Sequence, residues 1–319
     1  MLTSGSKSSS VSSNIISENY RSHRGFTRTA FAHQQDLGRV VEMIDQKFYR
    51  IGNEIFTRFP VPDRMRSWQI EWNDYKPTPL PSKHLIDKPW ADPELNASNF
   101  SPKWNQLDGE IDRTSHHGPY ILNSTGFPLN PAGRTGVSGR GLLGRWGPNH
   151  AADPIVTRWK RDQHNQIVKN KQNNLPILQF VAIKRKDNQE WAIPGGMVDP
   201  GEHISQTLRR EFLEESMNLK EMTENEQIQV RQKFEDFFQK GDLIYKGIVD
   251  DPRNTDNSWI ETIAMNYHDD TFSTLSRIDL RAGDDAAAVC WQDIDQNLKL
   301  YANHINFIHI VAIKKSANW

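Results

Sequence analysis

The sequence predicts a mixed α/β fold of the α+β kind, with a smaller strand- and loop-rich domain in front of it. Three observations predict it. After about residue 171, short apolar runs rich in strand formers alternate with charged turns. A segment from about His203 to Met217 carries apolar residues at helical spacing behind a glycine loop. Before 171 the chain is dense in Pro, Gly, Asn and Trp and has few periodic runs, as expected of short strands joined by structured loops.

Taken in order, the stretch from Met1 to about Gln35 is serine-rich, carries Arg21, Arg24 and Arg28, and has Glu18 as its single acidic residue. Such a composition cannot build a core. It fits an organelle transit peptide or an ordinary disordered tail, so a mitochondrial or a cytoplasmic location is expected. Leu37, Val40, Val41, Ile44 and Phe48 stand three and four apart, which predicts a short amphipathic helix. Residues 1–50 are therefore expected as a tail with a possible short helix, 51–170 as an N-terminal domain, and 171–319 as the main domain.

Within 51–170, Asn130 to Gly136 and Gly139 to Asn149 place closely spaced glycines beside Arg134, Arg140 and Arg145. Backbone amides and guanidinium groups in such loops can approach phosphate oxygens. The same residues also suit a plain glycine-rich connection. Beyond 171, Ile177 to Ile183 and Trp191 to Pro194 read as adjacent strands around the charged turn Lys184 to Glu190. A polar helix-like segment reaching Phe238, strands near 242–249, 260–268 and 287–291, and a closing helix near 305–315 complete the pattern.

Composition narrows the function. A chain of 319 residues has room for about two ordinary domains without disulfides. Thirty-nine basic against 40 acidic residues leave a net charge of -1, which provides no field for nucleic acid or an anionic membrane. No apolar run approaches the roughly 18 residues of a spanning helix. The single Cys290 cannot form an internal bridge. A soluble intracellular monomer is expected, since no heptad pattern is evident.

The informative segment runs from Gly195 to Ser216. At about 100° per residue, Glu211 and Glu215 lie on nearly one helix face, with Glu214 one step round. That face also carries Ile204 and Leu208, so the carboxylates project from the stripe that packs inward. Crowded, half-buried carboxylates repel one another and lose solvation, a conflict that a divalent cation removes. Oxygen-only ligands suit a hard ion such as Mg²⁺ or Mn²⁺, which bridges to phosphates. Arg210, four residues before Glu214, can hold a carboxylate in place.

Gly196, Glu202, Arg210, Glu211, Phe212, Glu214 and Glu215 match the Nudix box at every specified spacing, and the chain resembles the Nudix hydrolases on that basis. Met217 departs from the pattern, where many members have glycine. Further segments, among them Asn130 to Gly136, Gly139 to Asp153, Thr157 to Arg161, Asp250 to Asn257 and Leu300 to His304, are similar to the ADP-ribose pyrophosphatases of mitochondrial type. They are similar also to the C-terminal domain of melastatin-type ADP-ribose-gated channels. The resemblance implies a Nudix α/β/α sandwich, ADP-ribose as substrate, and hydrolysis to AMP and ribose 5-phosphate with Mg²⁺, for which Mn²⁺ can substitute. It implies metal ligands Glu211, Glu214, Glu215 and the Gly196 carbonyl, with Glu202 and Arg210 in support. It leaves the base open between the helix and a loop on which Asp284 and Asp285 are the candidates.

The same resemblance carries Asp251, Arg253, Tyr301, Asn303, His304 and Tyr120 over as substrate contacts. Tyr301 alternatively packs, and His304 alternatively caps a helix or is buried and hydrogen-bonded. Trp146 and Trp159 either stack on adenine or pack. The intact box favours an enzyme over an ADP-ribose-sensing channel domain. A Nudix hydrolase of another nucleoside diphosphate derivative would need only the box.

Overall fold

A computed structural model describes residues 47–218, 222–275, 280–283 and 286–319. The expected helix over 37–48 and the tail before it lie outside these residues, except that Phe48 opens a strand. The first region holds only short strands: the hairpin β1 (Phe48–Ile51) and β2 (Glu54–Thr57), then β3 (Thr78–Pro79), the hairpin β4 (Leu107–Asp108) and β5 (Ile111–Asp112), and β6 (Val137–Ser138), parallel to β3. Loops between them are held by guanidinium groups rather than by apolar bulk. Arg134 donates to the carbonyl oxygens of Met65, Ser67 and Ile70 and lies over the Trp68 ring. Arg140 pairs with Glu94, and Arg145 and Arg113 with the buried Asp92.

Those pairings decide between the two readings of the glycine segments. Their arginines are committed to the loops, so 130–136 and 139–149 are structured connections. Gly133 and Gly136, both at positive φ, let the chain pass against the backbone of Arg66 and Phe59, where a Cβ would overlap a carbonyl oxygen. Trp146 is buried, with its indole N–H on the Pro93 carbonyl, and Trp159 donates to Asp270. Both tryptophans pack.

The main sheet contains β7 (Gly147–Trp159), β8 (Leu178–Arg185), β9 (Trp191–Ala192), β10 (Gly196–Met197), β11 (Asp242–Ile248), β12 (Ser258–Asp269) and β13 (Ala286–Asp293). Its order is β11-β12-β7-β8-β13, with β10 added to β7 and β9 to β8. β12 and β7 run parallel and the other pairs antiparallel, so the sheet is mixed. The central strand β7 lies on the N-terminal side of residue 170, and the described residues all belong to one compact unit, Gln46–Trp319.

Helices cover both faces. α1 (Ile204–Met217) and α2 (Glu224–Glu235) bring Leu208, Phe212, Leu213 and Phe234 against Ala152, Val156 and Val181. α3 (His304–Lys314) lays Phe307, Ile308 and Val311 against Ile155, Leu178 and Phe180. Such burial contributes roughly 1.5–3 kcal/mol for each large side chain. Met217, where a glycine was absent, is buried in the first of these cores, and the helix ends instead through Asn218 at a left-handed φ of 50°. Among the described residues no helix is long and apolar enough to cross a membrane.

Candidate active site

β10 ends beside the start of α1, and the glycine turn between them is what lets helix carboxylates meet strand backbone. A Cβ on Gly196 would overlap the Glu211 carboxylate, and one on Gly195 would overlap the Asp153 carboxylate. The Gly195 amide donates to Glu215 Oε2 at 2.9 Å. These groups line a cleft of about 560 Å³ together with Arg185, Asp251, Arg253, Tyr301 and His304.

Glu211 and Glu215 are buried and line the cleft. Glu214 is not among the lining residues and stands 3.7 Å from Arg210. The helix period explains the difference: Glu215 lies about 40° from Glu211, but Glu214 about 60° the other way. Arg210 binds less to Glu214 than its i,i+4 spacing suggests. It donates from Nε and Nη2 to the two oxygens of Glu202, at 2.9 and 2.8 Å, and from Nη1 to Glu211 Oε1 at 2.8 Å. Glu202 also accepts from Thr207 Oγ1 at 2.8 Å. Burial disfavours the Glu202 carboxylate, yet the bonds from Arg210 and Thr207 outweigh it and hold its carboxyl below the ordinary value. Glu202 thus anchors Arg210, which in turn orients Glu211.

Burial pushes the Glu211 carboxyl up to about 7, against the pull of Arg210. Asp153, on the central strand, is likewise pushed up to about 6 by burial, partly offset by the 2.6 Å bond from Thr262 Oγ1. A divalent cation fits beside Gly196, Glu211 and Glu215. The donors are all oxygens, the Gly196 backbone and the Glu211 carboxylate share a space that a Cβ would fill, and a cation would relieve the desolvation of both carboxyls. Glu211, Glu215 and the Gly196 carbonyl could hold it, with Glu214 beside Arg210.

The same cleft holds a pre-assembled polar cluster. Arg253 donates from Nε and Nη2 to the two oxygens of Asp251, each at 2.8 Å, and Tyr301 Oη donates to Asp251 Oδ2 at 3.0 Å. Burial opposes ionisation of Asp251, but these bonds outweigh it, and its carboxyl stays below the ordinary range. Arg185 stacks over the Tyr301 ring, 4.4 Å from its centre, and pairs with Asp187. Tyr301 therefore packs and also faces the cleft.

His304 is buried at the head of α3, and its Nδ1 accepts the Ile193 amide at 3.0 Å. That bond leaves the proton on Nε2. Burial, then the neighbouring Arg185, lowers its pKa to about 4, so the ring is neutral. Asn303 caps α3 and has a buried Oδ1 without a hydrogen-bond partner among the described residues.

Of the residues carried over as substrate contacts, Asp251, Arg253, Tyr301 and His304 come together in the cleft, and Asn303 sits next to them in sequence. Tyr120 does not line it: its ring is buried, edge-on to Trp259 at 5.2 Å. Asp285 and Asp284 lie outside the described residues. The sequence reading did not single out Asp153, nor Arg185, Lys186 and Asp187. An acid inside the apolar run around Ile155 was the available signal for Asp153.

A NUDIX domain model matches residues 167–309 and a model of the NUDT9-like, N-terminal domain matches residues 61–147. The chain is 53% identical over 264 residues to the ADP-ribose pyrophosphatase, mitochondrial, of Rattus norvegicus, covering 82% of this chain and 75% of that one. It is 47% identical over 262 residues to the putative nudix hydrolase 6 of Caenorhabditis elegans, covering 82% and 92%. It is 48% identical over 265 residues to the transient receptor potential cation channel subfamily M member-like 2 of Nematostella vectensis, but that match spans 17% of the channel. With Glu211 and Glu215 of the box at one cleft and relatives matched over most of their length, this chain belongs to the Nudix family, in the group whose Nudix domain follows a NUDT9-like N-terminal domain.

Proposed function

We propose that this protein hydrolyses the pyrophosphate bond of ADP-ribose to AMP and ribose 5-phosphate. The observation that carries the reading is that Glu211 and Glu215 of the box line the same cleft as the Asp251, Arg253 and Tyr301 cluster. The rat relative named for this activity supports it.

Glu211, Glu214, Glu215 and the Gly196 carbonyl are the proposed ligands of Mg²⁺, with Mn²⁺ as a substitute. Bound there, the metal supplies charge neutralisation for the pyrophosphate and activation of the attacking water. Arg210, anchored by Glu202, fixes the rotamer of Glu211, so no reorganisation is needed when substrate arrives. Arg253 and Asp251 offer a guanidinium face and a carboxylate edge to ribose and phosphate oxygens. His304 Nε2–H donates to a ligand oxygen, and the buried acceptor of Asn303 takes a hydroxyl. Tyr120 supports the wall behind the cleft through Trp259. Asp285 is the proposed acceptor of the water's proton.

A monomer is the setting we propose, in mitochondria as the name of the rat relative suggests, with the cytoplasm as the alternative. A fusion reporter with and without the first 35 residues tests the location, and identical diffuse signals would exclude import.

The assay is release of AMP and ribose 5-phosphate from ADP-ribose, with Mg²⁺ and then with chelator, beside ADP-glucose and NADH. Metal-dependent turnover selective for ADP-ribose is expected. Glu211→Gln with Glu215→Gln should lower kcat by several powers of ten while the circular dichroism spectrum is retained. Tight binding without cleavage would favour the sensor reading, for which the channel relative is the observation.

A further inference from the structure

A second group of ligand-type side chains lies outside the cleft and independent of its chemistry. His150 on β7 and Glu261 on β12 are direct partners across the parallel pair, and His116 reaches them from the segment that follows β5. Their neighbours Ala151 and Ile260 line the cleft, so the alternation of the strands puts His150 and Glu261 on the other side of the sheet. The imidazole rings of His116 and His150 are 4.8 Å apart and tilted by 43°. His116 Nδ1 is 3.9 Å from Glu261 Oε2, and one ligand atom of each residue lies within 4.8 Å of the others.

We propose that His116, His150 and Glu261 bind a borderline divalent ion of the zinc type, which ties the segment after β5 to the sheet. Two observations beyond proximity carry this. Both nitrogens of His150 and Nε2 of His116 are buried without a hydrogen-bond partner among the described residues, although buried polar atoms are as a rule satisfied. Glu261 is fully buried and rigidly held: Ser115 Oγ and Trp259 Nε1 donate to Oε1 at 2.6 and 2.7 Å, and the His116 amide donates to Oε2 at 2.5 Å. Such outer bonds are what orients a metal-binding carboxylate.

The donor set separates this site from the box. Two imidazoles and one carboxylate with an open fourth position is a zinc-type set, whereas Mg²⁺ favours oxygen alone. Ligand atoms around tetrahedral zinc stand roughly 3.3 Å apart, so the rings must close by up to about 1.5 Å, within reach of side-chain rotation. The site would also steady the box: the His150 carbonyl accepts the Val198 amide at 2.9 Å, and the Glu110 carbonyl accepts the Gly201 amide at 2.9 Å.

The test titrates the full-length chain with Co²⁺ as a spectroscopic probe, in Mg²⁺ sufficient to occupy the box. One equivalent of Co²⁺ with visible bands and shifted imidazole resonances is expected, and Zn²⁺ should displace it and raise Tm. His116→Gln and His150→Gln should each weaken Co²⁺ at least about a hundredfold and abolish the Tm shift. If His150→Gln fails to fold, His116→Gln carries the test, because its bond to Glu261 comes from the backbone. No Co²⁺ uptake, uptake without imidazole signals, or undiminished affinity in His116→Gln overturns the proposal.

Discussion

His304 shows how one backbone bond sets a side chain's chemistry. The Ile193 amide occupies Nδ1, and burial then lowers the ring's pKa from its ordinary 6.5 to about 4. The unfolded chain therefore binds a proton between those values that the folded chain refuses, so this residue's contribution is present above about pH 6.5 and is lost as pH falls through about 4. Its full size is about 3 kcal/mol at 1.36 kcal/mol per pKa unit. Asp153 and Glu211, with raised pKa values, act in the opposite direction. Urea unfolding of wild type against His304→Gln isolates the imidazole: the stability gap at pH 7 should shrink by about 2 kcal/mol at pH 4.5, and a gap independent of pH would refute the neutral-ring assignment. Arg253 is bound to a buried carboxylate, so Arg253→Ala should do more than raise KM. It strands Asp251, and a loss of about 2 kcal/mol is expected, below the full penalty for a buried pair because the guanidinium is partly exposed. Unchanged Tm with a raised KM would mean that the pair carries no structural load.

At the scale of elements, the glycine turn into α1 is more restrictive than its spacing reveals. Gly196→Ala would drive a methyl into the Glu211 carboxylate. The obstructing atoms are the end of a side chain, so the fold should survive while the carboxylate is displaced, and kcat should fall at least a hundredfold with little change in Tm. Wild-type turnover in that variant would separate Glu211 from the chemistry. α1 was legible because its apolar stripe and its charged positions follow one period, and because a spacing specified at seven positions leaves few alternatives. The central strand was not. Its residues, Gly147 to Trp159, include Pro148 and Pro154 and show no alternation, since nearly every position from 147 to 156 is buried. A strand covered on both faces has no polar side to mark its period, and proline argues against a central strand. The arginines of the glycine segments left two readings open for a related reason: a guanidinium that ties three carbonyls of a loop, as Arg134 does, looks in sequence like one that waits for phosphate.

The whole molecule turns on where that strand comes from. β7 is hydrogen-bonded to β12 along its full length and to β8 at its end, and it carries both Asp153 of the cleft and His150 on the opposite face. A cut at residue 170, where composition changes, would remove it and leave β12 and β8 unpaired on the facing edges. The fragment 171–319 would also lose Ala152, Ile155 and Val156, the residues on which the helices of both faces close. It should therefore express as an unfolded or aggregating chain, because an open core leaves its apolar side chains in water and unpaired central edges recruit other chains. The fragment 47–319 keeps every residue of the cleft described above and should melt in one transition with the turnover of the full chain. Circular dichroism melts and the ADP-ribose assay on both fragments decide the matter. A folded 171–319 would show that the sheet closes without β7, and would return the boundary to where the change in composition places it.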